Sequence, residues 1–469
     1  MKRLFLLLIF IAGCNPLKPA QLELPAPPEN FSHQQTEPVV QLSQHWWEDF
    51  EDPQLNQLQQ QLFSNNLTLR QALYRLQQLE ALQKISQSRL WPQLNLNGSL
   101  NREKNPGLNS DTITSGERIS VAARYEVDVW NRLGDKTRAA ELRREAGEND
   151  VKALLLSLSA QLTEQYFLAV EQQAHLKLLE QQTVRKEQFL QIVTERYRGG
   201  LATASDVYSA RQNLEIVRTL LPDRRTALTL AENNIATLLG QPPGTISIKN
   251  HELPQLDNIV DIGLPADLLL NRPDITAALQ QLEATDHELA AALADRLPAI
   301  NLSASIGYSA NQLAMGNLEG SLWSLALGLT QPLIDGGRRQ AETERQRALR
   351  AEKLAIYQQT VLAALQEVET ALAGETNTTS KRIRLEQRQQ INHKNLQLMQ
   401  ENYLYGLGDI RDLLLSQIMQ LEILSQQVSN QRQQLSYRIT LARALGGSWM
   451  EGEISRQQKN LDKKQDKKK

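Results

Sequence analysis

Apolar and polar side chains alternate with a period of two in four stretches of the chain. A period of two places successive side chains on opposite faces of a β-strand. Each stretch has about 9–11 alternating residues, the length of a tilted membrane-crossing strand. The apolar members are Leu94, Leu96, Gly98 and Leu100; Ile119, Val121, Ala123, Tyr125, Val127 and Val129; Ile300, Leu302, Ala304, Ile306 and Tyr308; and Trp323, Leu325, Leu327 and Leu329. The pattern predicts two β-hairpins, each with one apolar face and one face rich in Ser, Asn and charged residues.

Each hairpin by itself also fits a soluble pair of strands packed on helices. Two matched hairpins favour instead a β-barrel with an apolar outer face in lipid and a polar, water-filled interior. Four strands cannot close a barrel, and lipid does not tolerate an open sheet edge. Other copies of the chain must therefore complete the barrel. Three copies of four strands give twelve, which lies within the known range of barrel sizes.

Most of the remaining sequence follows the helical spacing of three and four residues. One such long stretch runs from Asp135 to about Arg196 and contains no proline. Its apolar seam is interrupted by polar residues, which is typical of a weak coiled coil. At ~1.5 Å per residue, this stretch predicts a helical rod of roughly 90 Å. A shorter helix over Leu69–Leu90 ends at Trp91-Pro92, because proline disfavours a helical residue before it.

The chain contains two copies of one structural unit. The segment Tyr197–Val207 recurs as Tyr403–Leu413, 206 positions later, and the same offset carries Leu239-Gly240 onto Leu445-Gly446. A constant offset over most of a chain is the signature of a structural duplication. Each copy therefore predicts a β-hairpin, a long helix, a tight turn and a returning helix. In the second copy the long helix runs from Arg338 to Asn402 and turns at 405–412.

The N terminus has the pattern of a secretion signal. Two cations precede a short apolar run from Leu4 to Ile11, about half the length of a spanning helix. The run is followed by Ala12-Gly13-Cys14, which resembles a bacterial lipoprotein signal whose cysteine becomes the first residue and carries the lipid. A chance cysteine in an ordinary signal peptide is the alternative. Asn15 stands where aspartate would suggest retention at the inner membrane, so the resemblance favours the outer membrane.

The predicted divisions of the chain follow from the duplication and the signal. They are a lipoprotein signal peptide over 1–13, a lipidated linker over 14–44, a first repeat over 45–240, an inter-repeat segment over 241–271, a second repeat over 272–447, and a C-terminal segment with a basic tail over 448–469. The linker is rich in proline and is predicted to be extended. The lysines at the C terminus predict a solvated, disordered tail.

Composition adds mainly exclusions. The chain has 469 residues, a formal net charge of −2, 41% hydrophobic residues and only 5% aromatic residues. A nearly neutral chain has no bulk attraction to nucleic acid. The low aromatic content agrees with long coiled helices, which bury Leu and Ala along a narrow seam. A single cysteine excludes any disulfide within the chain.

Residue types used in catalysis do not form a motif. The six histidines are far apart, with no pair at metal-ligand spacing. The sequence has no phosphate-binding loop and no Gly-x-Ser-x-Gly elbow. Gly199-Gly200 and Gly336-Gly337 are interpreted as turn glycines. The sequence therefore predicts no catalytic site, no metal and no cofactor, apart from diacylglycerol and palmitate carried covalently by Cys14.

The lipoprotein signal, the Trp46–Leu55 block and the duplicated hairpin-and-helix unit together resemble one family. It is the outer membrane efflux proteins, or TolC-like outer membrane factors, in the lipoprotein branch that includes OprM and NodT. Two segments are particularly similar: Arg196–Leu201 with Asp206-Val207, and Gln331–Arg338 after the fourth strand. The resemblance covers nearly the whole chain.

The resemblance implies a mostly helical fold with a transmembrane β-barrel. A trimeric twelve-stranded barrel would stand on a periplasmic α-barrel, with a mixed belt near residues 45–65, 242–270 and 447–460. The implied function is the exit duct of a tripartite efflux system in the Gram-negative outer membrane. The implied partners are two further copies of the chain, outer-membrane lipid, a periplasmic adaptor, and an inner-membrane pump of the RND type that supplies the energy.

The two helix-turn-helix tips are implied to face the adaptor and pump. Aromatic and charged groups there would hold a constriction closed in a bistable arrangement. The predicted gate or adaptor-docking residues are Tyr197, Arg198, Gly199, Gly200, Leu201, Asp206, Tyr403, Tyr405, Gly406, Asp409, Arg411 and Asp412. The alternative is that they only cap helix ends, with Asp206 and Asp409 as N-cap candidates. Many relatives carry Tyr-Leu in place of Ile410-Arg411, so the family's gate contacts are not carried over to the second tip.

Three other interpretations make different demands on the sequence. A structural coiled-coil envelope lipoprotein without a pore needs no polar inner face on its strands. The periplasmic adaptor itself predicts one hairpin flanked by β-rich domains, which two copies at a constant offset disfavour. An enzyme needs a catalytic constellation, and the sequence predicts none.

Overall fold

The computed structural model describes residues 39–40, 45–106, 112–256, 259–260, 272–313, 316–446 and 449–466. The signal peptide, Cys14 and most of the linker lie outside these residues. The elements in chain order are β1 (Val39–Val40), a 3₁₀ helix (Trp46–Phe50), α1 (Pro53–Asn65), α2 (Leu67–Ser88), β2 (Gln93–Asn105), β3 (Thr112–Val127), α3 (Arg132–Arg198), α4 (Ala204–Leu238), β4 (Ile259–Val260), α5 (Pro273–Ala294), β5 (Ala299–Leu313), β6 (Gly316–Thr330), α6 (Arg338–Leu404), α7 (Ile410–Leu445) and α8 (Trp449–Asp466).

The chain forms two compact units. The first contains the described residues of 74–149 and 276–360, and the second contains those of 26–73, 150–275 and 361–469. The two long helices predicted from the helical spacing are confirmed as α3 and α6, each of 67 residues. No helix among the described residues has both the length and the hydropathy needed to cross a membrane.

The first unit contains a four-stranded antiparallel sheet built from both hairpins. Its strand order is β2-β3-β5-β6, because β3 of the first hairpin pairs with β5 of the second along most of their length. The register aligns the predicted apolar positions in cross-strand rows. One such row contains Leu96, Val121, Ile306 and Trp323. The prediction that each hairpin has one apolar face is confirmed, and the pairing of β3 with β5 joins the two faces into one.

The opposite face of this sheet is polar. One of its rows contains Asn95, Ala122, Ser305 and Ser324, and the hydroxyls of the two serines lie 2.8 Å apart. The apolar face is uncovered in the single chain, where Trp323 is 80% exposed. A contiguous exposed apolar face of this kind marks a surface that contacts lipid or other protein.

The strands are longer than the sequence predicts. The alternation covers about 9–11 residues, whereas the strands contain 13, 16, 15 and 15 residues. In the first hairpin the pairing continues through Arg102, Glu103 and Lys104. Backbone hydrogen bonds do not require an apolar side chain, so the pairing extends past the point where the hydrophobic pattern stops.

Helix ends and strand ends are tied together in the first unit by hydrogen bonds and ion pairs. The Arg132 guanidinium donates to both carboxylate oxygens of Glu126 at 2.7 Å, and the Trp130 indole N–H donates to the carbonyl of Pro298 at 2.8 Å. A bidentate guanidinium–carboxylate pair fixes direction as well as distance. These bonds hold the turn between β3 and α3 next to the start of β5.

The second unit is centred on the Trp46–Leu55 block. Trp46, Trp47 and Phe50 are buried, and the Phe50 ring packs edge-on against Phe167 with centroids 5.0 Å apart. Asp52 caps α1 and also accepts a hydrogen bond of 2.6 Å from the Tyr166 hydroxyl. Burial, followed by this contact with Asp52, raises the pKa of Tyr166. The start of the folded chain is thereby fastened to α3.

Two further features involve the linker, the inter-repeat segment and the C-terminal segment. Val39 and Val40 pair in parallel with Ile259 and Val260, joining the N-terminal linker to the inter-repeat segment. The prediction of a disordered lysine tail is wrong up to Asp466, because α8 continues to that residue. Lysine and glutamine are good helix formers, so a charged composition does not end the helix here.

Candidate functional site at the helix tips

The first tip is the turn between α3 and α4. The N–H of Leu201 donates to the carbonyl of Arg196 at 2.8 Å, and the N–H of Gly200 donates to the carbonyl of Tyr197 at 3.0 Å. These two bonds form a Schellman motif, which satisfies carbonyls that the end of a helix leaves without a partner. Gly200 has a φ of 75°, a left-handed conformation that favours glycine.

The second tip, between α6 and α7, repeats this backbone. The N–H of Leu407 donates to the carbonyl of Asn402 at 2.8 Å, and the N–H of Gly406 donates to the carbonyl of Tyr403 at 3.1 Å. Gly406 has a φ of 74°. The duplication seen in the sequence therefore extends to individual hydrogen bonds, and the predicted tight turns are confirmed.

The helices that leave the two tips are capped by different side chains. At the first tip the Thr203 hydroxyl accepts from the N–H of Asp206 at 3.2 Å, and the Asp206 carboxylate accepts from the N–H of Thr203 at 2.8 Å. This is a capping box. The prediction of Asp206 as an N-cap is wrong, because Thr203 supplies the cap oxygen and Asp206 lies three residues inside. The prediction of Asp409 as an N-cap is confirmed, since its carboxylate accepts from the N–H of Arg411 at 2.8 Å.

The predicted gate charges form short-range pairs within their own tips. The Arg411 guanidinium donates to Oδ2 of Asp409 at 2.6 and 3.0 Å, which lowers the pKa of Asp409 and raises that of Arg411. Arg198 pairs with Glu195 of its own helix at 2.5 Å. Within the described part of the chain, neither arginine is paired with an acid of the other tip.

Arg196 joins the two tips instead. Its Nη1 donates to the carbonyl of Leu404 at 2.9 Å, and its guanidinium carbon lies 5.1 Å from the centroid of the Tyr403 ring. This is cation–π distance. Burial and the nearby charge of Asp206 raise the pKa of Tyr403. The structure thus places Tyr403, a predicted residue of the second tip, against Arg196 of the first tip, an arginine that was not predicted.

A small apolar cluster lies directly behind this contact. All four helices of the tips contribute to it. Its buried members are Val193, Ala210, Tyr403, Ile410, Leu413 and Leu414. The Phe189 ring packs near Tyr403, with centroids 6.0 Å apart. The two tips therefore form one packed element in the second unit and do not stand as separate loops.

Further along the helices, a buried lysine interrupts the seam. Lys186 donates from Nζ to Oδ1 of Asn213 at 2.9 Å, and Nδ2 of Asn213 donates to Oε1 of Gln417 at 3.1 Å. This chain of bonds links α3, α4 and α7. Lys186 is only 3% exposed, and burial lowers its pKa to about 8. In the sequence this position is only one of the polar breaks in the coiled-coil pattern.

Beside the charged pairs, the outer surface of the tips contains exposed apolar side chains. Leu201, Leu407 and Tyr405 are each at least 70% exposed. Leu201 and Leu407 are separated by the repeat offset, so the two turns present the same side chain at the same place. Exposed apolar side chains at loop ends are typical of sites that contact a partner.

Two residues of this site escaped the sequence analysis for different reasons. Arg196 occurs in the quoted motif, but its counterpart in the second copy is Asn402, so the duplication gives no signal for it. Lys186 has an ordinary helical context in the sequence, and only tertiary packing shows that it is buried. Cys14, the predicted lipidation site, lies outside the described residues. Within those residues, no group of three or more His, Cys, Asp or Glu side chains is arranged to hold a metal ion.

Comparisons with known proteins agree with the fold. The family model described as "Outer membrane efflux protein" matches residues 58–241 and 264–447. Outer membrane protein OprJ of Pseudomonas aeruginosa is 29% identical over 422 residues, which cover 87% of each chain. Solvent efflux pump outer membrane protein SrpC of Pseudomonas putida is 30% identical over 414 residues, covering 86% of this chain and 87% of the relative.

Solved structures of outer-membrane channels show the same fold. The outer-membrane channel OprN superposes with a TM-score of 0.86 at 25% identity and covers 93% of this chain and 100% of its own. The CmeC channel of Campylobacter jejuni gives a TM-score of 0.85 at 20% identity and covers 95% of this chain and 99% of its own. The predicted fold, an α-barrel combined with a β-barrel, is confirmed, and the matched proteins are channels of efflux pumps rather than enzymes. The chain therefore belongs to the outer membrane efflux protein family, whose members are the outer-membrane exits of efflux systems.

Proposed function

We propose that this outer-membrane efflux channel works as a homotrimer, fed by a periplasmic adaptor and an inner-membrane pump of the RND type. The observation that carries the trimer is the four-stranded sheet, whose apolar face is exposed and whose edge strands are β2 and β6. In lipid an unpaired strand edge is too costly to persist. Pairing β6 of one copy with β2 of the next closes the sheet, and three copies give a twelve-stranded barrel.

Particle images of the detergent-purified protein test the trimer. We expect three-fold cylinders well over ~100 Å long, with one end in the detergent micelle. Light scattering on the same sample gives the mass of the assembly independently. A monomeric rod without a barrel would overturn the proposal and favour a structural lipoprotein without a pore.

The exported molecules are proposed to be small. Relatives from Pseudomonas putida are named as outer membrane proteins of toluene, antibiotic and solvent efflux pumps. The energy for transport would come from the pump.

The paired tips are proposed to close the periplasmic end and to receive the adaptor. Leu201, Tyr405 and Leu407 supply an exposed apolar surface for docking. The Asp409–Arg411 pair is exposed and held within one turn, so its partners can be exchanged when neighbouring copies approach or separate. Such an exchange gives the gate two alternative arrangements.

Conductance in planar bilayers tests the gate. Replacing Asp409, Arg411 and Asp412 by alanine removes the charges of the second tip, and we expect conductance to rise. The matched control replaces Glu187, Glu215 and Arg218, an exposed ion-pair cluster with the same charges. A wild-type channel that is permanently open, with no change in the variant, would overturn the gating role.

The lipid anchor is proposed to be diacylglycerol and palmitate on Cys14. The support is the sequence alone: a short apolar signal followed by the only cysteine of the chain. We expect Cys14→Ala to abolish incorporation of radiolabelled palmitate, while Ser32→Ala in the linker leaves it unchanged. Continued labelling of the Cys14 variant would contradict the anchor.

A further inference from the structure

The first unit contains a cavity of about 660 Å³ among four helices. Its walls come from α2, α3, α5 and α6, close to where these helices meet the strands. Arg89 lies four residues before β2, and Arg338 begins α6 eight residues after β6. A volume of this size is within the range of small-molecule sites.

Three acids and five bases line the cavity. All three acids already have a partner. Glu288 pairs with Arg143 at 2.5 Å, Asp295 pairs with Arg339 at 3.1 Å, and Glu342 pairs at 2.8 Å with Arg345, which is not part of the lining. The pairs use only two of the five lining bases, so the cavity keeps an excess of positive charge.

The other three bases are Arg89, Lys136 and Arg338. Within the described residues, none of them has a carboxylate at ion-pair distance. Lys136 is half-buried; burial, and next the charge of Arg132, lower its pKa. Of the three, only Lys136 is half-buried, and the charges of Asp295 and Glu126 act against the effect of its burial. Arg89 and Arg338 are exposed. An anion placed among the three cations would be attracted by their combined charge.

The remaining walls are apolar. Leu82 and Ile85 line the cavity and are each more than half exposed. Small side chains on the facing helices, Ala140, Ala291 and Ala292, leave room beside them. A ligand that satisfies all of these walls needs both a negative head and a hydrocarbon part.

We propose that this cavity binds an anionic amphiphile, a molecule with a phosphate head on the three free cations and an alkyl chain against Leu82 and Ile85. Two sources fit this chemistry. One is a phospholipid from the membrane leaflet at the end of the barrel where the strands join the helices. The other is a free amphiphilic anion in transit. The proposal goes beyond the proposed export function and does not depend on the gate.

Binding of dodecyl phosphate to the full-length protein in dodecyl maltoside tests the site. We expect saturable binding by calorimetry, weakened at least ~10-fold in Arg89→Gln/Arg338→Gln, because charge-assisted hydrogen bonds to phosphate are lost. Dodecanol, the uncharged probe, should not bind measurably. The matched control is Lys84→Gln/Arg347→Gln, which removes two exposed charges of α2 and α6 that do not line the cavity.

A second arm separates the two sources. The protein is reconstituted into nanodiscs of phosphatidylglycerol and phosphatidylcholine, and retained lipid is measured by native mass spectrometry. Preferential retention of phosphatidylglycerol that the cavity variant loses supports a lipid occupant, and dodecyl phosphate binding without such retention supports a free amphiphile. If neither arm shows binding, or if the control variant loses it equally, the proposal is wrong.

Discussion

The two helix tips have the same backbone and different side-chain chemistry. Both turns close with a Schellman motif and a glycine at positive φ. The first helix is then capped by a neutral hydroxyl within a capping box, and the second by the Asp409 carboxylate paired with Arg411. The comparison teaches that reversing a helix places strict demands on the backbone, whereas the cap and the packing behind it are free to differ between copies.

The largest expected difference lies in the packing behind the tips. Leu413 is fully buried in the tip cluster, while its counterpart Val207 lies at the edge of that cluster. Leu413→Ala should lower the free energy of local opening by about 3 to 4 kcal/mol, because a buried leucine leaves a cavity. Val207→Ala should lower it by about 1 kcal/mol. Amide hydrogen exchange in the first turns of α4 and α7 measures both; equal losses would contradict the asymmetry.

The next difference concerns Lys186, whose counterpart in the second copy is the buried Asn392. The pKa of Lys186 falls from 10.5 to about 8 on burial, so between these pH values the folded state binds fewer protons than the unfolded state. Stability should therefore rise with pH from about 8 to 10.5, by at most about 3 kcal/mol. Below pH 8 the full cost of the buried charge remains.

Lys186→Met removes the titrating group and should abolish this alkaline gain. Asn392→Leu, at the matching position, removes a buried polar group that does not titrate, so it should leave the gain intact. Hydrogen exchange of α3 amides between about pH 7 and 10 provides the measurement. An unchanged pH profile in Lys186→Met would show that another group is responsible.

The sequence predicts features set by local patterns and by the duplication. The strand faces follow from alternation, as in Leu94, Leu96 and Leu100, because a one-residue shift would turn every side chain over. The turns at Gly200 and Gly406 are predictable because few residues other than glycine adopt a positive φ readily. These features depend on neighbours along the chain, which the sequence displays directly.

Features set by contacts between distant segments could not be predicted. The pairing of β3 with β5 joins two hairpins that are far apart in sequence, and alternation gives no signal for it. The contact of Arg196 with Tyr403 depends on how the two turns pack against each other. Thr203 and Asp206 both carry a side-chain oxygen suitable for an N-cap, and they lie three residues apart. Thr203 is the cap because the helix begins at Ala204, and the sequence pattern does not determine that starting residue.

The glycines offer a test of the part that the tips share. Gly200→Ala and Gly406→Ala should each lower the stability of their turn by about 1 kcal/mol, because alanine is strained at positive φ. A Cβ at either position would meet no other atom within 4 Å, so backbone strain is the only cost. Gly199→Ala is the control: it has no positive φ, and its Cβ would make only ordinary contacts. Clearly unequal losses at Gly200 and Gly406 would show that the two turns are not equivalent.

The smallest expected effect is the response of the second tip to acid. Hydrogen bonds from Arg411 lower the pKa of the exposed Asp409 below 3.8. The stabilising contribution of this carboxylate is therefore complete above pH 3.8 and is lost as the pH falls through the lowered value. Hydrogen exchange at the start of α7 should accelerate in this range beyond the intrinsic change of rate. Asp409→Asn keeps a good N-cap without a charge, so it should remove the acid response while largely preserving the cap. A loss of protection of the same size at the first tip would assign the response to another group and remove the electrostatic distinction between the tips.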